Sequence, residues 1–194
     1  DFGSFVSPKA IPQLKDTVEV LENLDLTHSK TDLLAIIANE RGAEEAVKFK
    51  EIDFLGYPFS VSETFQKRNT NATIEESWKR LEHIQNLSVK NNKQLVVYLS
   101  MGFGNPYGDE WNSDIVIKWS EKIYRDLGVK ILALSDTIGT ASTSLVSSLF
   151  DDLIPALPEV EFGAHLHTIP ENAAQLVEAA FKSGCRRFDG AIKG

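Results

Sequence analysis

Several things are scarce in this chain, and each scarcity excludes something. Its 194 residues hold one cysteine, Cys185, so no disulfide can form within the chain. A lone thiol fits a reducing compartment. No apolar run approaches the ~18 residues a membrane helix needs. Basic residues are the minority, 20 Lys and Arg against 28 Asp and Glu, for a net charge of -8. That balance lacks the basic footprint of a nucleic-acid binder. It leaves room for an anionic ligand, because a local basic rim works on an acidic protein. A G-x-G-x-x-G turn after the first strand is missing as well. The first turn reads Ser4-Phe5-Val6-Ser7-Pro8-Lys9, which argues against a dinucleotide-binding Rossmann chain.

What is present is a globular composition, with 42% apolar and 25% charged residues. The length suits one well-buried core and is too short for two large domains. Residues 1–194 therefore read as a single domain. The organising pattern is strand followed by helix. Short apolar runs at Asp1–Val6, Leu33–Ala38, Ile52–Tyr57, Gln94–Leu99, Lys130–Leu134, Val160–His165 and Arg186–Gly190 read as parallel strands buried on both faces.

Helices are expected between them. Ile74–Val89 opens on a capping box, Thr73 with Glu76. Asp114–Leu127 has Ser113 as its candidate N-cap and stops at Gly128. Leu145–Leu157 and Asn172–Lys182 follow, with Lys15–Leu24 and Ala43–Phe49 as shorter segments. The polar stretch Gln66–Asn71 reads as a loop. Seven strands alternating with six helices predict an α/β fold, the (β/α)8 TIM barrel. A complete barrel takes ~250 residues. The chain is thus expected to be a partial barrel, lacking the first βα unit and the C-terminal end. An open doubly wound sheet is the competing architecture.

Barrels of this kind place their chemistry at the C-terminal ends of the strands. His165-Leu166-His167 ends the sixth strand. Side chains alternate along a strand, so two histidines one residue apart point the same way and can offer two imidazoles to one metal. Asp136 ends the fifth strand. It is placed to bond a substrate, orient a ligand or hold a water, or else to close the turn after the strand. Asp1, Asn39, Ser60 and Tyr98 also lie near strand ends. Asn39 and Tyr98 are suited to a substrate carboxylate or carbonyl. Lys9, Lys67 and Arg68 lie on loops at the same rim and suit phosphates.

Taken together these motifs resemble the hydroxymethylglutaryl-CoA lyase family, within the wider group of metal-dependent barrel lyases and Claisen-type synthases. The matching segments run in order along the chain. They are Ser4-Phe5-Val6-Ser7-Pro8-Lys9 with Pro12-Gln13, then Ser62-Glu63 with Phe65 and Lys67-Arg68-Asn69, then Ile74-Glu75-Glu76-Ser77. Gly104 with Pro106-Tyr107, Asp136-Thr137-Ile138-Gly139 and His165-x-His167 complete the set.

The resemblance implies that His165 and His167 ligate a divalent cation, Mg²⁺ or Mn²⁺. It makes Asp136 and Asp1 catalytic positions, and it puts Asn39, Tyr98 and Lys9 on the substrate side. The implied substrate is an acyl-CoA, the implied assembly a homodimer, and the implied compartment the cytoplasm or the mitochondrial matrix. No nucleic acid or membrane is implied. In the family an Arg-Asp pair precedes the position of Asp1, while a signature cysteine and a metal-binding asparagine follow the position of Gly194. Cys185 is therefore not the signature cysteine, and Thr168 stands where the family commonly has aspartate.

The implied reaction is metal-dependent retro-Claisen cleavage of 3-hydroxy-3-methylglutaryl-CoA to acetoacetate and acetyl-CoA. The nearest alternative is a synthase of the same superfamily that condenses a 2-oxo acid with acetyl-CoA. A non-catalytic CoA-binding barrel is the alternative from another class.

Overall fold

The computed structural model describes residues 1–191. Among them are seven strands, which form one sheet in chain order from β1 to β7. They are β1 (Gly3–Ser4), β2 (Leu33–Ile36), β3 (Ile52–Ser60), β4 (Gln94–Ser100), β5 (Ile131–Asp136), β6 (Glu161–Leu166) and β7 (Arg187–Phe188). Helices connect them: α1 (Thr17–Glu22), α2 (Glu40–Ala46), α3 (Glu63–Thr70), α4 (Ile74–Lys90), α5 (Ser113–Leu127), α6 (Thr143–Ala156) and α7 (Pro170–Lys182). A doubly wound sheet reverses its strand order at a switch point. Sequential order with parallel pairing is instead the order of a (β/α)8 barrel. No described helix is long and apolar enough to cross a membrane.

The chain divides into two compact units. The first comprises Asp1–Pro58 with Lys79–Val96. Here β1 pairs with β2 through Gly3↔Ala35 and Ser4↔Ile36, and β2 pairs with β3, all parallel. Ala35, Ile37, Ile52, Leu55 and Tyr57 are fully buried. The Lys93 ammonium donates to the carbonyls of Phe49, Lys50 and Ile52, at 2.9, 3.3 and 2.6 Å. It thereby satisfies the backbone of the turn that enters β3. Within the expected strand Asp1–Val6 the regular strand is Gly3–Ser4, and backbone bonds to β2 reach one residue further each way, Phe2 N donating to Leu34 O at 3.1 Å and Phe5 N to Ile36 O at 2.8 Å.

The second unit comprises Phe59–Trp78 and the chain from Val97 onward. The strands β5 and β6 run parallel in unbroken register from Ile131↔Glu161 to Asp136↔Leu166, and β6 pairs with β7. All six residues of β5 are buried, as a strand covered on both faces requires. Phe59, Trp78 and Trp119 form an aromatic cluster with centroids 5.0–6.5 Å apart. Gly128 ends α5 in the left-handed conformation, φ 70°, as expected. The N-cap of α5 is Asn112, whose side chain accepts from Ile115 N, and not Ser113.

The segment expected to be a loop, Gln66–Asn71, lies mostly in α3. Its helix is defined by its ends, not by an apolar face. Ser62 caps it by accepting from Phe65 N, and Asn71 closes it at φ 51°. A Glu63–Lys67 pair at 3.0 Å supports the exposed side, and Gln66 is its one buried residue.

Candidate active site

The strand ends of the second unit bring four polar side chains together. His165 and His167 leave β6 on the same face, and their Nε2 atoms stand 3.2 Å apart. The rings are 5.2 Å centroid to centroid. Alternation carries His165 to the same face as Gly163. That glycine is small for a reason, because a Cβ there would come within 3.2 Å of the Arg187 side chain. Register opposes Gly163 to Arg187 and Ala164 to Phe188, so one step further Asp189 comes opposite His165. The Asp189 Oδ2 lies 2.8 Å from His165 Nδ1. Tyr98, from β4, packs its ring edge-to-face with His165, 5.2 Å between centroids. Burial, together with the negative Asp189, pushes the Tyr98 phenol far above its ordinary value, so it is a neutral donor at any physiological pH.

The spacing of the two imidazoles suits a divalent cation. With bonds of ~2.1 Å, adjacent ligands stand roughly 3.0 Å apart in an octahedron and roughly 3.4 Å apart in a tetrahedron. The observed 3.2 Å between the two Nε2 atoms falls between. A carboxylate on Nδ1 keeps the proton there and the Nε2 lone pair free, as imidazole ligands need. The histidine pair therefore fits as two ligands of one ion. Among the described residues no group of three or more His, Cys, Asp or Glu side chains is placed to hold a metal.

Asp136 ends β5, as expected. Register pairs Ser135 with His165 and Asp136 with Leu166. Neighbours in register share a face, so Asp136 points to the face opposite the histidines. It is buried, and its two oxygens accept from Thr140 N at 2.9 Å and Ala141 N at 3.0 Å. Its carboxylate thus closes the turn after β5, one of the roles expected for it, at the strand end where its backbone carbonyl also accepts from His167 N at 3.4 Å. That turn has a bearing on the histidines. Gly139 sits in it at φ 68°, packed on the backbone carbonyl of His167.

The turn after β4 is built just as closely. Met101 is buried and left-handed, φ 60°. Its N–H donates to Thr137 Oγ1 at 2.9 Å, and its carbonyl accepts from Trp111 Nε1 at 3.1 Å. Asp109 then pins the following loop onto the start of α3. Its carboxylate accepts from Ser62 Oγ, from Thr64 N at 2.9 Å and from Thr64 Oγ1 at 2.8 Å. The hydrogen bond from Ser62, then those from Thr64, hold the Asp109 carboxyl below the usual carboxylate range. Tyr107 of this loop stacks on Phe65, and the Arg68 guanidinium lies 4.7 Å over its ring.

The other expected site residues lie elsewhere in the chain. Ser60 is buried, with its Oγ donating to Ser100 O at 3.4 Å and accepting from Ser62 N. Asp1, Lys9 and Asn39 belong to the first unit. Asp1 is exposed ahead of β1, and Lys9 is exposed in the turn that follows it. Asn39 caps α2, its Oδ1 accepting from Gly42 N at 2.9 Å. Cys185 is buried just ahead of β7, and burial pushes its thiol up. Asp189 and Asp109 went unrecognised in the sequence. Asp189 obeys the same strand-end rule that exposed the histidines. Asp109 follows the Pro106-Tyr107 turn and carries no local mark.

The sheet order defines an α/β barrel protein, and the comparisons make that specific. The HMGL-like family model matches residues 9–194. The chain belongs to the HMGL-like family. It is 32% identical over 194 residues to a hydroxymethylglutaryl-CoA lyase of Bacillus subtilis, covering all of this chain and 64% of that protein. The crystal structure of the Bacillus subtilis HMG-CoA lyase superposes with a TM-score of 0.88 at 32% identity, over 96% of this chain and 62% of that one. An HMG-CoA lyase from Acinetobacter baumannii, solved with coenzyme A and 3-methylmalate, gives 0.87 at 29% identity, over 99% of this chain and 62% of that one. The chain thus spans less than two-thirds of each of these proteins. Its curated relatives are enzymes, named as lyases.

Proposed function

We propose that this chain carries the metal-binding half of a carbon–carbon lyase site, one that cleaves 3-hydroxy-3-methylglutaryl-CoA to acetoacetate and acetyl-CoA. The observation that carries the reading is the pair of Nε2 atoms 3.2 Å apart at the end of β6. The names of the curated relatives support the reaction. The coenzyme A in the Acinetobacter baumannii complex supports an acyl-CoA substrate.

In this reaction the C3 hydroxyl loses its proton and the C2–C3 bond breaks. Its electrons pass to the thioester as an enolate, which takes a proton at C2 to give acetyl-CoA. His165 and His167 would hold Mg²⁺ or Mn²⁺, which supplies Lewis acidity toward the substrate oxygens when bound. The neutral Tyr98 phenol borders His165 and offers a hydrogen-bond donor at the site. Asp136 shapes the turn against which His167 rests, and so acts as a positioning residue. Lys9 and Asn39 are assigned to the substrate, Lys9 to its phosphates, and Asp1, ahead of β1, to the family's acidic catalytic position. A homodimer is the proposed assembly.

The test is to follow acetoacetate release from 3-hydroxy-3-methylglutaryl-CoA in the presence of Mg²⁺ or Mn²⁺. A parallel assay follows CoA release from a 2-oxo acid with acetyl-CoA. Cleavage with no condensation supports the lyase. Condensation with no cleavage replaces it by a synthase.

A further inference from the structure

We propose that Asp189 is a positioning residue that sets the tautomer of His165. This rests on the reading of His165 and His167 as a ligand pair. The carboxylate Oδ2 lies 2.8 Å from His165 Nδ1. A carboxylate in this pairing accepts only, so the imidazole must carry its proton on Nδ1. The Nε2 lone pair is then turned away from Asp189 and stands 3.2 Å from His167 Nε2.

The ring and the carboxylate are also held by their neighbours. The Tyr98 ring packs edge-to-face with the His165 ring, 5.2 Å between centroids. Asp189 also donates its backbone N–H to Ala164 O at 3.1 Å, which continues the β6–β7 ladder beyond Phe188. The carboxylate is thus fixed to the strand beside the histidine it orients. Asp189 and His165 side chains are both about one-third exposed, 32% and 36%. With water able to reach both, imidazole would distribute its proton between the two nitrogens. A fixed acceptor on one of them removes that freedom.

The test uses the tautomer itself, read from imidazole ¹⁵N shifts in the metal-free protein at a pH where the imidazoles are neutral. Wild type is expected to show His165 as the Nδ1–H tautomer. Asp189→Ala is expected to convert it to a mixture and to weaken Mn²⁺ binding about tenfold or more. Asp189→Asn keeps the shape and one acceptor oxygen, so it is expected to restore most of the tautomer and part of the affinity. It also serves if the alanine variant misfolds. An Nε2–H tautomer in wild type would overturn the proposal, as would an unchanged tautomer in a folded Asp189→Ala. Mn²⁺ titration of wild type tests the ligand-pair reading separately. Absence of binding there removes that reading and leaves the tautomer result to decide the role of Asp189.

Discussion

A Cβ on Gly139 would stand 2.8 Å from the carbonyl oxygen of His167. The D-T-I-G turn and the H-x-H segment are therefore in backbone contact, and the glycine is what lets them approach. Side chains also disfavour its φ of 68°. Gly139→Ala is expected to cost about 1–3 kcal/mol of stability. Because the clash pushes on His167, Mn²⁺ affinity should fall as well. Urea unfolding and a Mn²⁺ titration check both, and unchanged values in each would show that the turn has slack.

His165→Ala and His167→Ala are expected to lower cleavage by more than about 100-fold, since loss of residues that merely support a ligand already costs 10–100-fold. The fold should survive, because both side chains sit at an open strand end and not in the core. Stability should change by no more than about 1 kcal/mol. Steady-state rates and thermal melts on each variant make the comparison. Near-normal turnover by either would end the metal-ligand assignment.

Asp109 makes the loop after β4 sensitive to acid. Its folded-state carboxyl is held below the usual carboxylate range. Its contribution is therefore complete above the ordinary carboxylate value and is lost as pH falls through the lowered folded value. Limited proteolysis between Gly102 and Asn112 should be slow at neutral pH and accelerate only in that acid window. Asp109→Asn should raise cleavage at neutral pH and flatten the pH response. A loop equally resistant at both pH values in wild type would show that other contacts hold it.

Thr73 and Glu76 close α4 reciprocally, with Glu76 N donating to Thr73 Oγ1 at 3.0 Å and Thr73 N donating to Glu76 Oε2 at 2.8 Å. Thr73→Ala is expected to cost about 1 kcal/mol with no change in Mn²⁺ affinity. Chemical denaturation alongside the metal titration separates this change from those at the strand ends.

Much of the molecule was legible in one dimension. Buried parallel strands must be short apolar runs, so β2 to β6 stood out. The capping box at Thr73 and Glu76 and the stop at Gly128 work through local backbone hydrogen bonds, so their signals are local too. The spacing of His165 and His167 places them on one face because strand alternation is a local rule.

What needed the tertiary structure was everything set by register and by partners distant in sequence. Whether Asp136 joined the histidines depended on a one-residue choice of register, which put Ser135 beside His165 and turned Asp136 away. Asp189 meets His165 across 24 positions, and Asp109 meets Ser62 across 47. The helix α3 buries only Gln66, so it shows no apolar period and takes its stability from its caps and that distant carboxylate. A sequence records which groups are available and their local rhythm. Which of them face one another is decided by how the strands line up, because a shift of one residue reverses every side chain.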